Sequence, residues 1–353
     1  MPYKVLSIGL GGVGVIANYT LQKFNSDVET TAIIRSNYES VIAKGYTISS
    51  IDYGGRSQHG GEEDPKNNVQ GYRPHNVVKK LSEATKFGPF DFIVVSTKVI
   101  PQKDNNIWDE LNKFTELLLP NKGTSVVLLQ NGIGHEILWE KLIEKVNLIS
   151  GVSYISSVND KGTVTQYGHD YVSFGLFDEN GDKKALEKFI ELYKSGHNSV
   201  SLDNNVAYTR WKKLLYNASF NTACCLADAD VGLLFDTEDV INEVVVPLMR
   251  EVKYVSNLDL SKKNSADLIT DKDIDKLLKV TEDTDARNRY QPSMLVDFRQ
   301  GRPIELEVIL GNVIKIFELR SAEGDTAKDK VPYLKLLYHL LKIVQLKLQN
   351  AKA

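Results

Sequence analysis

The stretch that decides the fold is "VLSIGLGGVGVIANYT", residues 5–20 of a 353-residue chain. Its apolar beginning is typical of a buried strand, and the residues from Val13 onward have the spacing of a helix. Gly9, Gly11 and Gly14 form a GxGxxG array between the two. Such an array permits a tight turn, a close approach of the backbone to a pyrophosphate, and close packing of helix on strand. The competing interpretation is a chance cluster of glycines at a strand–helix turn.

A dinucleotide bound here would place its pyrophosphate at the helix N-terminus, where unpaired N–H groups favour an anion. The predicted contacts on this loop are Gly9, Leu10, Gly11, Gly12, Val13 and Gly14. The second predicted strand ends in "TAIIRSN", with Arg35 and Ser36 at the position where NAD sites usually carry an acidic residue. A guanidinium can hold a 2′-phosphate in a bidentate pair, so the sequence favours NADP(H). The alternative is a solvated surface arginine.

Strands and helices alternate through the first 150 residues, which predicts βαβ units and a mostly parallel sheet covered on both faces. The predicted strands are 3–10, 28–35, 45–54, 90–98 and 124–134. Residues 54–74 are polar and resemble a surface insertion, and 75–85 return to helical spacing. After residue 150, "GVSYISSV", "GTVTQYG" and "YVSFGLF" predict an antiparallel meander.

From Asn204 onward the pattern is helical and contains no convincing strand. We therefore expect an α/β Rossmann-type NADP-binding domain over 1–200 and an all-α substrate and catalytic domain over 201–353. Lys98 and Asn131 end two of the predicted strands. In open α/β sheets ligands bind outside the carboxyl ends of the strands, so both residues are candidates for contacting cofactor and substrate. Each is equally compatible with a loop residue that only meets water.

Composition excludes several classes of protein. Apolar content of 42% and charged content of 25% are typical of a folded globular protein. A net charge of -3 gives no general attraction to nucleic acid or to acidic membranes, and no apolar run reaches the roughly 20 residues of a membrane span. The only cysteines are the adjacent Cys224 and Cys225, which suits a cytoplasmic location. No metal site is predicted, because the histidines are scattered.

The helix "RWKKLLYNASFNTACC", residues 210–225, is apolar but carries Lys213, Asn217 and Asn221 four residues apart. Residues at this spacing share one face, and polar groups buried there need partners. Lys213 could donate a proton to a carbonyl oxygen during its reduction, while the two amides could bind hydroxyl or carboxylate groups of the same molecule. The alternative is a polar stripe facing water or another helix.

Two further polar residues follow in "PSMLVDFRQGRPIELEV", residues 292–308: Ser293 near one predicted helix start and Glu305 near the next. They could converge on one cleft. They could equally be helix-start residues, with Glu305 complementing the helix dipole. Taken alone, these residues do not decide between the two interpretations.

Five motifs together resemble the ketopantoate reductase family, in the order in which that family has them: "GLGGVG", "STK", "QNGIG", "RWKKLLYNASFN" and "SMLVDFRQGRPIE". The resemblance extends from Lys4 to about Leu341, and its two C-terminal motifs are specific. It implies a Rossmann domain followed by a helical domain, and NADPH-dependent reduction of 2-dehydropantoate to (R)-pantoate. The implied partner is a small 2-oxo acid, and a homodimer is compatible with the resemblance.

The resemblance also assigns roles to residues. Lys213 looks like the family's general acid and Glu305 like the acidic residue that assists it. Asn217, Asn221 and Ser293 resemble its substrate-binding residues, Lys98 and Asn131 resemble residues that contact both cofactor and substrate, and Arg35 resembles the residue at the 2′-phosphate. The insertion at 54–74, Ile304 in place of a frequent threonine and Glu307 in place of aspartate depart from the pattern. Reduction of another branched 2-oxo acid, or a non-catalytic NADP(H) sensor, are the alternatives.

Overall fold

The computed structural model describes residues 1–57, 62–100, 107–135, 142, 144–178, 180–263, 265–321 and 330–351. Packing divides the chain into two compact units. The second unit combines the chain from Ala207 onward with two short segments that begin at Val99 and Asn131, and the first unit contains the rest. Each unit is therefore assembled from discontinuous parts of the chain.

The first unit contains all twelve strands found among the described residues. They are β1 (Tyr3–Ile8), β2 (Val28–Ile33), β3 (Tyr46–Ser50), β4 (Val69–Tyr72), β5 (Asn76–Val78), β6 (Phe92–Val95), β7 (Ser125–Leu128), β8 (Asn147–Ser153), β9 (Ser157–Asp160), β10 (Thr163–Gln166), β11 (Tyr171–Leu176) and β12 (Ser199–Leu202). Its helices are α1 (Gly12–Lys23), α2 (Tyr38–Lys44), α3 (Leu81–Ala84), α4 (Ile107–Lys113) and α5 (Lys183–Tyr193), with short 3₁₀ turns at Pro65–Asn67 and Thr115–Leu117.

The main sheet has the strand order β12-β11-β8-β7-β6-β1-β2-β5. The six strands from β8 to β5 are parallel, whereas β11 is antiparallel to β8 and β12 is parallel to β11. Alternate residues of each strand enter different cores: Leu6 packs in one cluster and Val5 in another. This two-sided burial explains the continuous apolar runs in the sequence. The predicted Rossmann-type architecture is confirmed.

A second sheet of four strands, in the order β4-β3-β10-β9, corrects two details of the sequence prediction. The third predicted strand lies here, because β3 pairs with β4 and β10. The predicted meander is divided: β9 and β10 form an antiparallel hairpin in this sheet, while β8 pairs with β7 in the main one. Every residue of β8 is buried, as expected of a central strand.

The segment around the insertion also differs from expectation. Asn76–Val78, predicted to be helical, is strand β5, because its pairing with β2 outweighs the local helical spacing. The short helix α3 follows it. The insertion contributes β4, and its residue Tyr72 is buried in the core next to β3. Part of the insertion, 58–61, lies outside the described residues.

Among the described residues, the second unit consists of helices joined by loops and contains no strand. Its helices are α6 (Val206–Ala227), α7 (Val231–Asp236), α8 (Val246–Lys262), α9 (Asp271–Thr281), α10 (Ser293–Arg299), α11 (Asn312–Arg320) and α12 (Pro332–Asn350), with π-helical turns at Ile241–Val245, Glu282–Ala286 and Glu307–Gly311. One apolar core joins them, with Trp211 and Phe220 of α6 fully buried in it. None of the described helices is long and apolar enough to cross a bilayer. The all-α prediction is confirmed.

Candidate active site

The glycine loop lies between β1 and α1. Gly9 has φ +99°, and a β-carbon on it would lie 2.6 Å from the backbone nitrogen of Thr97. A β-carbon on Gly14 would collide with the carbonyl of Gly9, and one on Gly12 with the backbone of Ser157. The protein's own packing therefore demands glycine at these three positions.

Gly11 differs from its neighbours. Apart from its own chain neighbours, a β-carbon there would have no described atom within 4 Å, and the backbone has an ordinary φ of -74°. Glycine at this position leaves open space in front of the first turn of α1, whose N-cap supplies no side-chain acceptor. Open space and uncapped N–H groups at a helix N-terminus are what a pyrophosphate requires. The loop therefore fits a dinucleotide.

A basic cavity of about 470 Å³ lies at the carboxyl ends of β2 and β5. Arg35 and Ser36 line it together with Ser40, Lys79 and Lys161. The strands pair in parallel at their last residues, which brings the segments carrying Arg35 and Lys79 to the same edge of the sheet. Three cations outweigh the one carboxylate, that of Glu39, and together with the serine hydroxyls they form a site suited to a phosphate.

Lys79 and Lys161 are functional candidates that the sequence interpretation missed. Lys79 donates to the Glu39 carboxylate at 2.7 Å, and its ammonium lies 4.4 Å from the centroid of the Tyr38 ring. Lys161, with φ +48°, occupies the tip of the β9–β10 hairpin. Because a helix was predicted over 75–85, the sequence did not show that Lys79 follows the end of a strand. No local sequence pattern identifies Lys161 as a site residue.

In the helical unit, Lys213 of α6 lies against the segment that begins at Asn131. Its Nζ donates a hydrogen bond of 2.7 Å to Asn131 Oδ1. Burial of the ammonium and the positive charge of Arg210 lower the pKa of Lys213 from 10.5 to about 7, against the opposing effect of Glu305. The lysine therefore gains and loses its proton near neutral pH, as a general acid should.

Glu305 is buried two residues before the π-helical turn Glu307–Gly311, and its Oε1 accepts from the Val99 N–H at 3.2 Å. This backbone contact holds the carboxylate beside the segment that starts at Val99. Because Glu305 raises the pKa of Lys213, the two charges belong to one electrostatic cluster. The structure thus associates Lys213, Asn131 and Glu305, three residues identified from the sequence.

The Asn131–His135 loop is held to the helices by its backbone. Arg210 Nη1 donates to the Gly132 carbonyl at 3.1 Å, and the Ile133 N–H donates to the Val308 carbonyl at 2.9 Å. Asn312 Nδ2 donates to the Ile133 carbonyl at 2.8 Å. Gly132 has φ +92°, and a β-carbon there would collide with the Val308 carbonyl, so the loop requires glycine at this position.

Asn217 and Asn221 are both buried on α6, on the same face of the helix as Lys213. Asn221 Nδ2 donates to Asn217 Oδ1 at 3.0 Å, as residues four apart on a helix can. Asn221 Oδ1 is buried and has no hydrogen-bond partner among the described residues. An unsatisfied amide oxygen costs about 1–3 kcal/mol, so this atom is suited to accept from a bound molecule.

Two further predicted residues lie at exposed positions. Ser293 is exposed at the first position of α10, and its side chain makes no hydrogen bond to another described residue. Lys98 is exposed, three residues beyond the end of β6, and packs with the first unit. Their predicted contacts with a ligand stay predictions.

Comparison with known proteins covers nearly the whole chain. A family model described as "Ketopantoate reductase PanE/ApbA" matches residues 5–179, and its companion "Ketopantoate reductase PanE/ApbA C terminal" matches 205–345. An uncharacterized protein of Saccharomyces cerevisiae is 34% identical over 371 residues, which cover 99% of this chain and 95% of the relative. The 2-dehydropantoate 2-reductase of a Nostoc species is 26% identical, over 97% of this chain and 95% of its own length.

Solved structures show the same fold. The crystal structure of 2-dehydropantoate 2-reductase from Geobacter metallireducens superposes with a TM-score of 0.76 at 24% identity. The superposition covers 96% of this chain and 99% of the other. At this level of identity the match supports the architecture alone.

Proposed function

Because the chain belongs to the ketopantoate reductase PanE/ApbA family, we propose that it reduces 2-dehydropantoate to (R)-pantoate with NADPH. Membership of the family makes the chain an oxidoreductase. The observation that carries the proposal is the Lys213 ammonium, which is hydrogen-bonded to Asn131 and has a pKa of about 7. A sensor that only bound NADP(H) would have no use for a proton donor adjusted to neutral pH.

The glycine loop and the basic cavity would hold the cofactor. The first turn of α1 offers its N–H groups to the pyrophosphate, and Arg35, Lys79 and Lys161 offer positive charge to the 2′-phosphate. NADPH, when bound, supplies the hydride. Among the residues that the structure describes, Glu39 is the one acidic side chain that lines this cavity, and it is already paired with Lys79. This charge pattern favours NADPH over NADH.

The residues of α6 would hold the substrate. The unsatisfied Asn221 Oδ1 can accept from the hydroxyl of 2-dehydropantoate, and the Asn217 amide lies beside it. We assign Ser293 and Lys98 as further substrate contacts, with Lys98 and Asn131 also reaching the cofactor. The side chains of Ser293 and Lys98 are exposed and therefore accessible to a ligand.

Lys213 would act on the 2-oxo oxygen. In its ammonium form it stabilises the negative charge that develops on this oxygen and then donates a proton to it. Asn131 Oδ1 directs the ammonium through its hydrogen bond, and Glu305 opposes the loss of the proton before reaction. Lys213 is therefore assigned as the catalytic acid and Glu305 as the residue that assists it.

The proposal is tested by following NADPH absorbance with 2-dehydropantoate, pyruvate, 2-oxoisovalerate and benzoylformate as substrates. We expect the largest kcat/KM with 2-dehydropantoate. A larger value with another acid would keep the chemistry and change the substrate, because a pocket discriminates through contacts specific to each side chain. Tight NADPH binding without turnover of any acid in the panel would contradict the proposed reaction.

The pH dependence follows from the lowered pKa of Lys213. The acid form exists below the folded-state pKa of about 7 and is lost as the pH rises through it. With saturating NADPH, kcat/KM for the oxo acid should be independent of pH around pH 6 and should fall about tenfold per pH unit well above the pKa. The reason is that this parameter reports the titration of the enzyme that has not yet bound the oxo acid. A flat profile up to pH 9 would contradict the assignment; NADPH affinity measured at each pH is the control.

A further inference from the structure

His135 closes the Asn131–His135 loop and has no place in the mechanism above. Its side chain is fully buried, and Nε2 lies 2.6 Å from the backbone carbonyl oxygen of Asn131. A carbonyl oxygen only accepts, so Nε2 must carry the proton. Burial and the charge of Arg210 lower the pKa of His135 to about 3, so the imidazole is neutral at physiological pH.

The other ring nitrogen identifies the tautomer. Nδ1 is buried and has no hydrogen-bond partner among the described residues. In a neutral ring with the proton on Nε2, Nδ1 is a bare acceptor, and leaving an acceptor unpaired is less costly than leaving an N–H unpaired. Leaving one nitrogen of a buried histidine unpaired costs free energy. We therefore expect the hydrogen bond made by the other nitrogen to have a functional role.

The bond acts on the residue that contacts the catalytic lysine. Asn131 uses its side-chain oxygen for Lys213 and its backbone oxygen for His135. The next carbonyl, that of Gly132, accepts from Arg210. Two successive peptide groups are thus each held by a side-chain donor, on either flank of Gly132, whose φ of 92° is one that glycine readily adopts. Without the His135 bond, the Asn131 carbonyl would lose this donor, and the Asn131 peptide would be restrained only through the contacts of Gly132 and Ile133.

We propose that His135 is a positioning residue, whose Nε2–H fixes the Asn131 peptide so that Asn131 Oδ1 remains aimed at Lys213. This inference rests on the proposed function for its catalytic consequence. Among the described residues, the charged groups of this cluster include Arg210 and Lys213 of α6 and Glu305 before the π-helical turn. His135 acts through a hydrogen bond and not through its own titration.

Two substitutions of His135 distinguish a role in positioning Asn131 from a contribution to packing alone. In His135→Gln the terminal amide nitrogen reaches the place of Nε2, whereas in His135→Asn the amide reaches only the place of Nδ1 and leaves the Asn131 carbonyl without a donor. We expect His135→Gln to retain kcat within about twofold and His135→Asn to lose roughly tenfold, with NADPH affinity unchanged in both. Equal losses in both variants with equal thermal midpoints would overturn the proposal.

A second measurement does not need turnover. The apparent pKa of Lys213 can be obtained from the pH dependence of its acetylation by acetic anhydride, quantified by mass spectrometry. Losing the Asn131 acceptor removes a bond that favours the ammonium, so the pKa should be lower in His135→Asn than in wild type and restored in His135→Gln. An identical pKa in all three proteins would overturn the proposal. Absence of activity in wild type would instead contradict the proposed function and leave this measurement decisive.

The unmodified protein provides a check if neither variant folds. Long-range ¹H–¹⁵N spectra of protein labelled at its six histidines report the tautomer of each ring. Assignment of His135 as neutral and protonated on Nε2 down to pH 5 is expected. A ring protonated on Nδ1, or on both nitrogens at pH 7, would overturn the proposal.

Discussion

Replacing Lys213 by alanine is expected to lower kcat by about three orders of magnitude and to leave the Kd of NADPH nearly unchanged. The substitution would remove both the proposed proton donor and the positive charge that we assign to the developing alkoxide. It leaves the glycine loop and the basic cavity intact, since both belong to the first unit. Single-turnover kinetics with saturating NADPH and 2-dehydropantoate measure the loss, and fluorescence titration measures cofactor affinity.

The adjacent lysine is the matched control. Lys212 is on the same turn of α6, but its Nζ forms an ion pair of 2.8 Å with Asp273 on α9. Lys212→Ala removes the same side chain from the same helix and should keep kcat within about twofold, because a partly exposed pair contributes little to stability. A near-normal kcat in Lys213→Ala, or equal losses in the two variants, would show that the acid is misassigned.

Arg35→Asp is expected to change the preference between the cofactors by about a hundredfold, measured as the ratio of kcat/KM with NADPH to that with NADH. The carboxylate repels the 2′-phosphate of NADPH and can accept from the ribose 2′-hydroxyl of NADH. Most of the change should appear in KM for NADPH. Because the cavity is exposed to solvent, the effect should diminish as the salt concentration rises.

Lys44→Asp, at the exposed end of α2 and outside the cavity, changes the net charge by the same amount. We expect it to leave the ratio within about twofold. Lys79→Ala should lower the ratio less than Arg35→Asp, because Lys79 already shares its charge with Glu39. An unchanged ratio in Arg35→Asp would remove the argument for a 2′-phosphate site at this cavity.

The sequence was informative where local pattern and tertiary structure agree. Continuous apolar runs predicted β1, β6 and β7, because a parallel strand covered on both faces needs apolar residues throughout. Local pattern failed where distant pairing decides. Val77 and Val78 extend the sheet beside β2, and β8 pairs with β11 and not with the next strand in the sequence, β9. Neither pairing leaves a signal within the segment itself.

The candidate site shows the same division. A repeat of four on a helix was enough to identify Lys213, Asn217 and Asn221 as one face. The partner of Lys213 is Asn131, 82 residues earlier, and only the folded chain brings them together. The sequence did not identify His135 or Arg210, because a single histidine or arginine forms no recognisable pattern. Their importance lies in the hydrogen bonds that they donate to backbone carbonyl groups.

The loop that carries Asn131 limits how the two parts of this chain can be exchanged in evolution or in the laboratory. We propose 1–200 and 201–353 as the domains, yet the loop is encoded in the first half and packs with the second. A single crossover between homologues near residue 200 would combine one parent's loop with the other parent's Val308 and Asn312. Functional chimaeras should therefore require that loop and helices be inherited from the same parent.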